Sequence, residues 1–526
     1  MTDEILTKPC ASPTATTAEP EKTAGYLKKI AKNAGITGLG NIIGEILGPI
    51  LGIISTRALG AELYGIYNLA TYWFNLLADL SRLGFGGMLV RFTAGYKGKG
   101  RLDQAKGAIM LTLKIALING GALTLLMLLF AEPFCALVIK QPEAAPAFRF
   151  YSFSILFTAV YGSLIAALAG FQEQRYVVFT RALVANIVKL VSLVLLLAFG
   201  LKLYAALASS LLRDLTILIL GAIFLAKVFP GWRDVELAPA LESKKLWKFS
   251  GTLFATSIFN QHARRLDVLF LGMFRPLTEV GLYALAVRLQ PIIYAPHRTI
   301  IEIFSPIVAE LHGRQAIGEI ESLYKTVTKW TASASIPICL TVALFYEPIL
   351  KIFGKEFHGA ASALLILGIG SSFADMFGLG GEVINMTGKA SANLVNSIAT
   401  TMINVVLLIT FIPPYGIIGA AAAYAISTML INFLRLAQVY RFLKIHPFKL
   451  SLWKVFAAAT VAFLAVYFLQ SANFFSVLPG AWILELIFLW LVYALTMWAL
   501  QFDAEDRVIF AALKRRFTWL KARKQR

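Results

Sequence analysis

The sequence predicts an all-α polytopic membrane protein of about 14 transmembrane helices, and three observations support this fold class. The 526 residues are 58% hydrophobic and only 15% charged, and their mean hydropathy is +0.71. Soluble domains are about a quarter charged and could not bury so much apolar surface. The apolar residues form continuous runs of membrane-spanning length, which excludes the alternating pattern of a β-barrel.

Polar segments flank the apolar runs at both ends of the sequence. Residues 1–34 contain no apolar core and are expected to form a cytosolic tail, because the first apolar run begins too late for a cleaved signal peptide. Residues 502–526 place apolar side chains between basic ones, a pattern typical of a helix that lies on anionic lipid.

The distribution of charge predicts the orientation of the chain. Lys and Arg number 49 against 29 Asp and Glu, and most of the basic residues fall in alternate loops and in both tails. This asymmetry predicts a multi-pass protein of the cell inner membrane with both termini in the cytoplasm. The asymmetry also accounts for the excess of basic residues, so no nucleic-acid partner is predicted. The three cysteines are scattered, so neither a disulfide framework nor a metal site is predicted.

The second half of the sequence repeats the first at an offset near 216 residues. Each copy holds six predicted spans, so both enter the membrane in the same sense and should be related by an axis along the membrane normal. A central seam between two such lobes favours alternating access, although channels and some membrane enzymes are duplicated too. The aligned stretches begin at Tyr64 and Val280, at Phe130 and Phe345, and at Gly200 and Gly416.

The repeat and the charge pattern together divide the chain into six segments. No connecting loop much exceeds 20 residues, so no soluble catalytic domain is expected and the protein is not predicted to be an enzyme. The segments are the cytosolic N-terminal tail 1–34, the first six-helix lobe 35–228, a cytosolic linker 229–248, the second six-helix lobe 249–440, the extra helices 13 and 14 in 441–501, and the basic cytosolic tail 502–526.

Many ionisable side chains are predicted at membrane depth, where a charge costs about 2.5–3.5 kcal/mol on insertion scales. Several could neutralise one another at helical spacing. These pairs are Asp79 with Arg82, Arg264 with Asp267, and Arg298 with Glu302. A surplus of cations remains, and it predicts a water-filled cavity. Some of these cations are expected to extend to the cytoplasmic edge of the membrane, and Lys189 and Arg435 are the candidates.

Arginines at equivalent positions of the repeat suggest a binding site for an anion. Arg82 and Arg298 differ by the repeat offset, so the two-fold relation should place them on opposite walls of one cleft. Arginine suits phosphate and pyrophosphate better than lysine does. The candidate substrate-binding residues are Arg82, Arg264, Arg265, Arg288 and Arg298. The candidates for coupling to Na⁺ or H⁺ are Asp79, Asp267 and Glu302, and no catalytic residue, metal site or other cofactor is predicted.

With these residues in view, the chain resembles the polysaccharide-transporter branch of the multidrug, oligosaccharidyl-lipid and polysaccharide exporter superfamily. The resemblance covers about residues 30–500. It rests on the stretches that begin at Thr56, Tyr64, Arg265, Val280, Ser305, Asn385 and Ile412.

The resemblance implies two V-shaped lobes whose spans 1, 2, 7 and 8 line a cationic lumen. A protein of this kind would move an undecaprenyl-type, pyrophosphate-linked oligosaccharide from the cytoplasmic to the outer leaflet for surface polysaccharide biosynthesis. Its expected partners are this lipid-linked substrate, membrane lipids and the polysaccharide polymerase machinery. A multidrug or cation antiporter of the same superfamily and a lipid II flippase remain alternatives. The arginine surplus argues against the antiporter, which would favour an acidic or neutral lumen.

Overall fold

The computed structural model describes residues 19–232, 238–240, 242–257, 266–472 and 480–500. The predicted site residues Arg264 and Arg265 lie outside these ranges, as does the predicted C-terminal tail.

The described residues are almost entirely helical, and no strand occurs among them. The helices of the first half are α1 (Glu19–Ser81), α2 (Phe85–Gly98), α3 (Leu102–Phe134), α4 (Ala145–Tyr151), α5 (Phe153–Gly170), α6 (Gln174–Val178), α7 (Ala185–Ala198) and α8 (Lys202–Val228). Those of the second half are α9 (Ser243–Ser257), α10 (Leu266–Phe274), α11 (Leu277–Gly313), α12 (Ile317–Phe353), α13 (Ala361–Phe377), α14 (Leu379–Met386), α15 (Ala390–Leu443), α16 (Leu452–Ser471) and α17 (Ala481–Ala499).

Two of these helices are long enough to cross a membrane twice. Helix α1 has 63 residues and α15 has 54, so at about 1.5 Å per residue they extend well beyond a hydrocarbon core of about 30 Å. Each is interrupted at a glycine with positive φ, 70° at Gly60 and 55° at Gly416, because glycine adopts this conformation without steric cost. Nine helical segments of the described chain are long and apolar enough to span a membrane, and the count of 14 spans stays a prediction.

The internal repeat is visible in the backbone. Gly200 and Gly416, which the offset of 216 relates, both have positive φ, at 79° and 55°. The helix distortions at Phe130 and Phe345 also correspond, with φ of −109° and −117°, and each is followed by a proline. The same glycine and proline signals therefore interrupt the helices at equivalent places in both halves.

The helices form two packed lobes, and their ends are named cytoplasmic and outer after the charge prediction. In the first lobe, α5 is the central helix and contacts α1, α2, α3 and α8. In the second lobe, α13 takes this place and contacts α11, α12 and α15. The extra helices α16 and α17 pack on each other and on α12, so they belong structurally to the second lobe.

The lobes share one hydrophobic core near the outer side and have separate cores near the cytoplasmic side. Tyr64 of α1 and Tyr283 of α11 are both fully buried in the shared cluster. The cluster around Phe85 belongs to the first lobe, and the cluster around Phe304 belongs to the second. The two lobes are therefore closed against each other on the outer side.

A pair of glycines lies where the two lobes meet. A Cβ atom on Gly65 would overlap the carbonyl oxygen of Leu277, and one on Gly281 would overlap the carbonyl oxygen of Ala61. The repeat offset relates Gly65 to Gly281 and Ala61 to Leu277, so the two contacts are exchanged by the pseudo-two-fold axis. Only glycine permits this close backbone approach.

Polar contacts close the outer side around this crossing. The Arg57 guanidinium of α1 donates a hydrogen bond of 2.8 Å to the carbonyl oxygen of Ile352. The Glu356 carboxylate accepts a hydrogen bond of 3.0 Å from the backbone N–H of Ala61, in the first turn after the kink at Gly60. The second lobe thus supplies a cap for a helix of the first lobe.

Helix α9 connects the lobes on the cytoplasmic side. Its residues 243–248 fall in the predicted linker and its residues 249–257 in the predicted second lobe, but its described contacts lie with the first lobe. Trp247 packs edge-on against Phe85, with ring centroids 4.8 Å apart. The Ser250 hydroxyl donates a hydrogen bond to the carbonyl oxygen of Leu83. The cytoplasmic half of the seventh predicted span is therefore fastened to the first lobe.

The carboxylate of Glu242 holds the segment before α9, and its contribution to stability should depend on pH. Glu242 accepts hydrogen bonds from Lys245 Nζ at 3.0 Å and from Tyr96 Oη at 3.3 Å. The hydrogen bond from Lys245 is the main cause that lowers the pKa of Glu242 below its ordinary value of 4.5. Burial, together with Glu242, raises the pKa of Tyr96 to about 12, so this hydroxyl stays a donor.

We expect Glu242→Gln to lower the thermal midpoint of unfolding at pH 7. A depressed carboxyl pKa contributes stability above the ordinary value of 4.5, and that contribution is lost as the pH falls through the depressed value. The midpoints of wild type and variant, followed by intrinsic fluorescence, should therefore converge below about pH 4.5. A difference that persists unchanged into this acidic range would contradict the assignment.

Candidate functional site

Arg288 of α11 crosses the seam between the lobes. Its Nη2 atom donates a hydrogen bond of 2.6 Å to the carbonyl oxygen of Gly48 in α1. A Cβ atom on Gly52 would lie 2.8 Å from Arg288 Nε, so the glycines of α1 provide the room for this guanidinium. The predicted site residue Arg288 therefore lies at the interface of the lobes, and its role in binding stays a prediction.

The side chain of Arg82 points into the first lobe. Arg82 directly follows α1 and forms an ion pair with Asp79 in the last turn of that helix, as the spacing predicts. Its guanidinium lies against Gly162 of α5, where a Cβ atom would overlap it, and it is within electrostatic range of Tyr161 and Arg181. The side chain remains 24% exposed, so this pair is not sealed in dry packing.

The predicted convergence of Arg82 with Arg298 is not among the described contacts. Arg298 and Glu302 lie on an exposed face of α11, whereas the contacts described for Arg82 belong to the first lobe. The two arginines occupy equivalent positions along the chain, but the rotation of each helix decides where a side chain points. The role of Arg298 in binding stays a prediction.

A chain of polar side chains crosses the interior of the first lobe. Lys189 Nζ of α7 donates a hydrogen bond of 2.8 Å to Tyr67 Oη, and this hydroxyl lies 3.1 Å from Ser210 Oγ. On the adjacent turn of α8, Arg213 Nη1 donates a hydrogen bond of 3.0 Å to Asp214. The interpretation of Lys189 as a side chain at the cytoplasmic edge is wrong, because its amine is bound inside the lobe.

The second lobe contains a polar cavity of about 190 Å³. At one wall, Tyr283 Oη donates a hydrogen bond of 2.7 Å to the carboxylate of Asp267, which is 5% exposed. Arg435 also lines the cavity and donates a hydrogen bond of 2.9 Å to Asn393 Oδ1 in the first turn of α15, so its position at the cytoplasmic edge stays a prediction. The remaining polar lining comes from Tyr294, His297, Ser397, Thr400, Thr401, Asn404, Tyr424, Ser427, Thr428 and Asn432.

Several oxygen atoms of this lining are buried without a hydrogen-bond partner among the described residues. They are Thr400 Oγ1, Asn404 Oδ1, Ser427 Oγ and Asn432 Oδ1. Buried polar atoms normally have a partner, and oxygen atoms around a carboxylate are the ligands that hard cations prefer. The donor set therefore fits a small cation such as Na⁺. Of the three ion-coupling candidates, Asp267 alone lines this cavity, because Asp79 pairs with Arg82 and Glu302 lies on the exposed face of α11.

The two lobes differ in the sign of the charge at equivalent positions. The repeat offset relates Tyr67 to Tyr283, and both hydroxyls are hydrogen-bonded inside their lobes. The partner of Tyr67 is the cation Lys189, whereas the partner of Tyr283 is the anion Asp267. The equivalent tyrosines of the two lobes thus have partners of opposite charge, a lysine in the first lobe and an aspartate in the second.

Sequence reasoning missed the neutral lining of the second-lobe cavity. Its signal was present, because its hydroxyl and amide side chains recur at intervals of three or four residues along one face of each half of α15.

Comparison with known proteins places these features in a family. Residues 30–311 match the family model described as polysaccharide biosynthesis protein, and residues 253–410 match the MatE model. The chain is 27% identical over 190 residues to the probable low-salt glycan biosynthesis flippase Agl15 of Haloferax volcanii, across 35% of this chain and 39% of that protein. It is 24% identical over 377 residues to the uncharacterized membrane protein MJ1068 of Methanocaldococcus jannaschii, across 68% and 73%.

Two solved structures share the fold at low sequence identity. The lipid II flippase MurJ in an inward closed conformation superposes with a TM-score of 0.69 at 16% identity, across 87% of this chain and 97% of that one. An inward-facing multidrug resistance MATE family transporter of the MOP superfamily gives 0.66 at 16% identity, across 76% and 94%. These likenesses establish the arrangement of helices.

Proposed function

Because the chain belongs to the polysaccharide biosynthesis protein family, we propose that it is a flippase for a lipid-linked glycan. It carries an undecaprenyl-type, pyrophosphate-linked oligosaccharide from the cytoplasmic to the outer leaflet for the synthesis of a surface polysaccharide. The family model covers residues 30–311, more than half of the chain, and the relative from Haloferax volcanii is named as a glycan biosynthesis flippase. The membrane is the cell inner membrane, with both termini in the cytoplasm.

The observation that carries the proposal is the surplus of basic side chains in the interior of the first lobe and at the seam. Lys189 and Arg288 lie within predicted spans, at positions where a net positive charge would be expensive without an anion, whereas the charge of Arg82 is paired with Asp79. Arginine binds phosphate oxygens through two parallel hydrogen bonds. A pyrophosphate between the lobes matches this charge, and its isoprenoid chain can remain in the bilayer.

Alternating access would follow from the two-lobe architecture. The shared core and the glycine crossing close the outer side, so the substrate enters from the cytoplasmic side. Separation of Gly65 from Gly281 and of Glu356 from Ala61 would open the outer side. Asp267 and the oxygen atoms of the second-lobe cavity would bind the coupling cation, and we propose Na⁺ for this role because hydroxyl and amide oxygens without a described hydrogen-bond partner lie in the same lining.

Reconstitution of the full-length protein tests the proposal. Proteoliposomes would carry a pyrophosphate-linked oligosaccharide with a fluorophore on its sugar, and dithionite would bleach the fluorophore in the accessible leaflet only. We expect almost complete bleaching with the protein and bleaching of the outer-leaflet half alone in protein-free vesicles. Bleaching limited to that half with correctly folded protein would refute flippase activity toward this class of lipid.

A cation antiporter is the second candidate, because the MatE model matches residues 253–410 and Asp267 offers a cation site. The same vesicles loaded with a cationic dye separate the two candidates, since an antiporter would export the dye in exchange for Na⁺. A lipid II flippase would share the pyrophosphate chemistry and differ in the glycan. Substrates with a peptide-bearing disaccharide and with a polysaccharide repeat unit, compared side by side, distinguish it.

A further inference from the structure

A second cavity lies at the outer end of the extra helices, outside the cleft between the lobes. Its volume is about 450 Å³, within the range of about 300–1,000 Å³ that is usual for small-molecule sites. Its walls come from α12, α16 and α17, and none of these helices belongs to the predicted lumen spans 1, 2, 7 and 8. The lining includes Leu344, Tyr346, Glu347, Gln470, Trp482 and Glu485.

The cavity lies at the depth of the lipid head groups on the outer side. Glu485 is four residues from the start of α17, and Gln470 is one residue from the end of α16. At about 1.5 Å per residue, both lie within about 6 Å of the outer helix ends. The neighbouring surface of α16 and α17 is exposed and apolar, so a molecule with its polar end in the cavity would keep its chains in the bilayer. This surface includes Leu464, Phe468, Ile483 and Ile487.

The cavity has one carboxylate without a counter-ion. Glu347 forms an ion pair of 2.7 Å with Lys351, so its charge is compensated. Glu485 accepts a hydrogen bond of 2.8 Å from the neutral amide of Gln470, and it makes no ion pair among the described residues. The sequence that connects α16 to α17, residues 472–480, contains no charged side chain. The lining thus carries one net negative charge, and a carboxylate this close to the hydrocarbon region requires a cation as partner.

The other groups of the lining also suit a cation. Pro348 lacks an N–H group, so the carbonyl oxygen of Leu344 loses its usual donor in α12. The rings of Tyr346 and Trp482 present electron-rich faces, which attract ammonium ions. A hydrogen-bond acceptor and two aromatic rings therefore accompany the negative charge in the same cavity.

An organic ammonium fits this lining better than a metal ion does. A hard cation such as Ca²⁺ takes about six to eight oxygen ligands, and the described part of the chain contains no group of three or more His, Cys, Asp or Glu side chains that could hold a metal ion. The volume of the cavity is also far larger than a bare ion needs. An ammonium on a short polar chain would fill the space, donate to Glu485 and contact the aromatic rings.

The first lobe shows what the extra helices add. The stretch Phe130–Pro133 corresponds to Phe345–Pro348, and it places Glu132 after the same helix distortion as Glu347. The repeat contains no counterpart of α16 and α17, and the side chain of Glu132 is 75% exposed. The cavity therefore depends on the packing of α16 and α17 on α12.

We propose that this cavity binds the ammonium head group of a membrane lipid in the outer leaflet. The carboxylate of Glu485 accepts hydrogen bonds from the ammonium, Tyr346 and Trp482 surround it, and the lipid chains lie on the apolar surface of α16 and α17. A lipid with a primary ammonium, such as phosphatidylethanolamine, is the expected class. The site is separate from the cleft between the lobes, so it does not depend on the identity of the transported substrate.

Lipid titrations of the purified full-length protein in detergent, followed by native mass spectrometry, test the inference. We expect short-chain phosphatidylethanolamine to bind at least about tenfold more tightly than phosphatidylglycerol with the same chains, the effect of one charge-assisted hydrogen bond. Glu485→Gln should abolish this preference, and Glu485→Asp should retain it. Trp482→Leu should weaken binding about 2- to 30-fold, the range of one cation–π contact.

Two matched controls separate the site from general effects of charge and of tryptophan. Glu132→Gln removes the equivalent carboxylate of the first lobe, and Trp498→Leu removes a tryptophan that is 68% exposed near the opposite end of α17. Both variants should bind phosphatidylethanolamine as wild type does. A loss in Glu132→Gln as large as that in Glu485→Gln would overturn the site.

The lipid comparison also identifies the ligand. Equal binding of the two lipids to wild type, or an unchanged preference in Glu485→Gln, would contradict the proposal. Glycerophosphoethanolamine has the same head group without the chains and should bind much more weakly than the lipid. If it binds as tightly as phosphatidylethanolamine, the cavity takes a soluble amine and the assignment to a lipid is wrong.

Discussion

A single methyl group on each of Gly65 and Gly281 should prevent the outer side from closing. Both positions lie against a carbonyl oxygen of the opposite lobe, so Gly65→Ala and Gly281→Ala together push two backbones apart. Overpacking of this kind costs about 1–3 kcal/mol per site, which shifts a balanced equilibrium between closed and open states by roughly 5- to 150-fold for each substitution. We expect transport to fall by at least about tenfold, since the cycle needs the closed state.

Interlobe distances measure this effect directly. Spin labels at Lys202 of the first lobe and Lys351 of the second, both exposed near the outer side, should report a longer distance in the double variant. Gly121→Ala is the matched control, because it adds a methyl group in a helix where nothing lies within 4 Å. Unchanged distances and transport in the double variant would show that the glycine crossing does not limit closure.

The second large effect is expected at Asp267. Two opposite charges about 4 Å apart attract by about 4 kcal/mol at an effective dielectric constant of 20, so Asp267→Asn should weaken Na⁺ binding by at least about a hundredfold. Bound cation stabilises the folded protein in proportion to the logarithm of its concentration. Wild type should therefore gain thermal stability as NaCl replaces choline chloride, and Asp267→Asn should lose this dependence together with Na⁺-driven transport.

The exposed carboxylate of Glu302 supplies the control for this experiment. Glu302→Gln removes a charge at membrane depth but not from the second-lobe cavity, and it should keep the response to Na⁺. A wild type that responds to pH and not to Na⁺ would assign the cavity to a proton instead. Equal responses of Asp267→Asn and wild type would remove Asp267 from ion coupling altogether.

Local sequence signals were enough to predict the helical repeat, because they act through the backbone. The glycine at position 416 breaks α15 as Gly200 separates α7 from α8, and the prolines after Phe130 and Phe345 distort their helices in the same way. The offset of these signals also predicts that Gly65 and Gly281 are equivalent, although not that they touch.

The direction of individual side chains could not be predicted in the same way. Arg82 was expected to face the cleft, but Gly162 on α5 leaves space for it inside the first lobe. That space depends on a contact between helices far apart in sequence. Likewise, the hydrogen bond from Lys189 to Tyr67 depends on the packing of α7 against α1. The uncharged oxygen ligands around Asp267 hardly change the hydropathy of α15, so they did not stand out among apolar residues.

The opposite partners of Tyr67 and Tyr283 have an electrical consequence. If the lipid anion leaves the cell along one wall while Na⁺ enters along the other, both movements carry charge in the direction that an inside-negative membrane potential favours. Each elementary charge that crosses 100 mV is worth about 2.3 kcal/mol. The voltage across the membrane would then act as an energy source for glycan export, independently of the sodium concentration on either side.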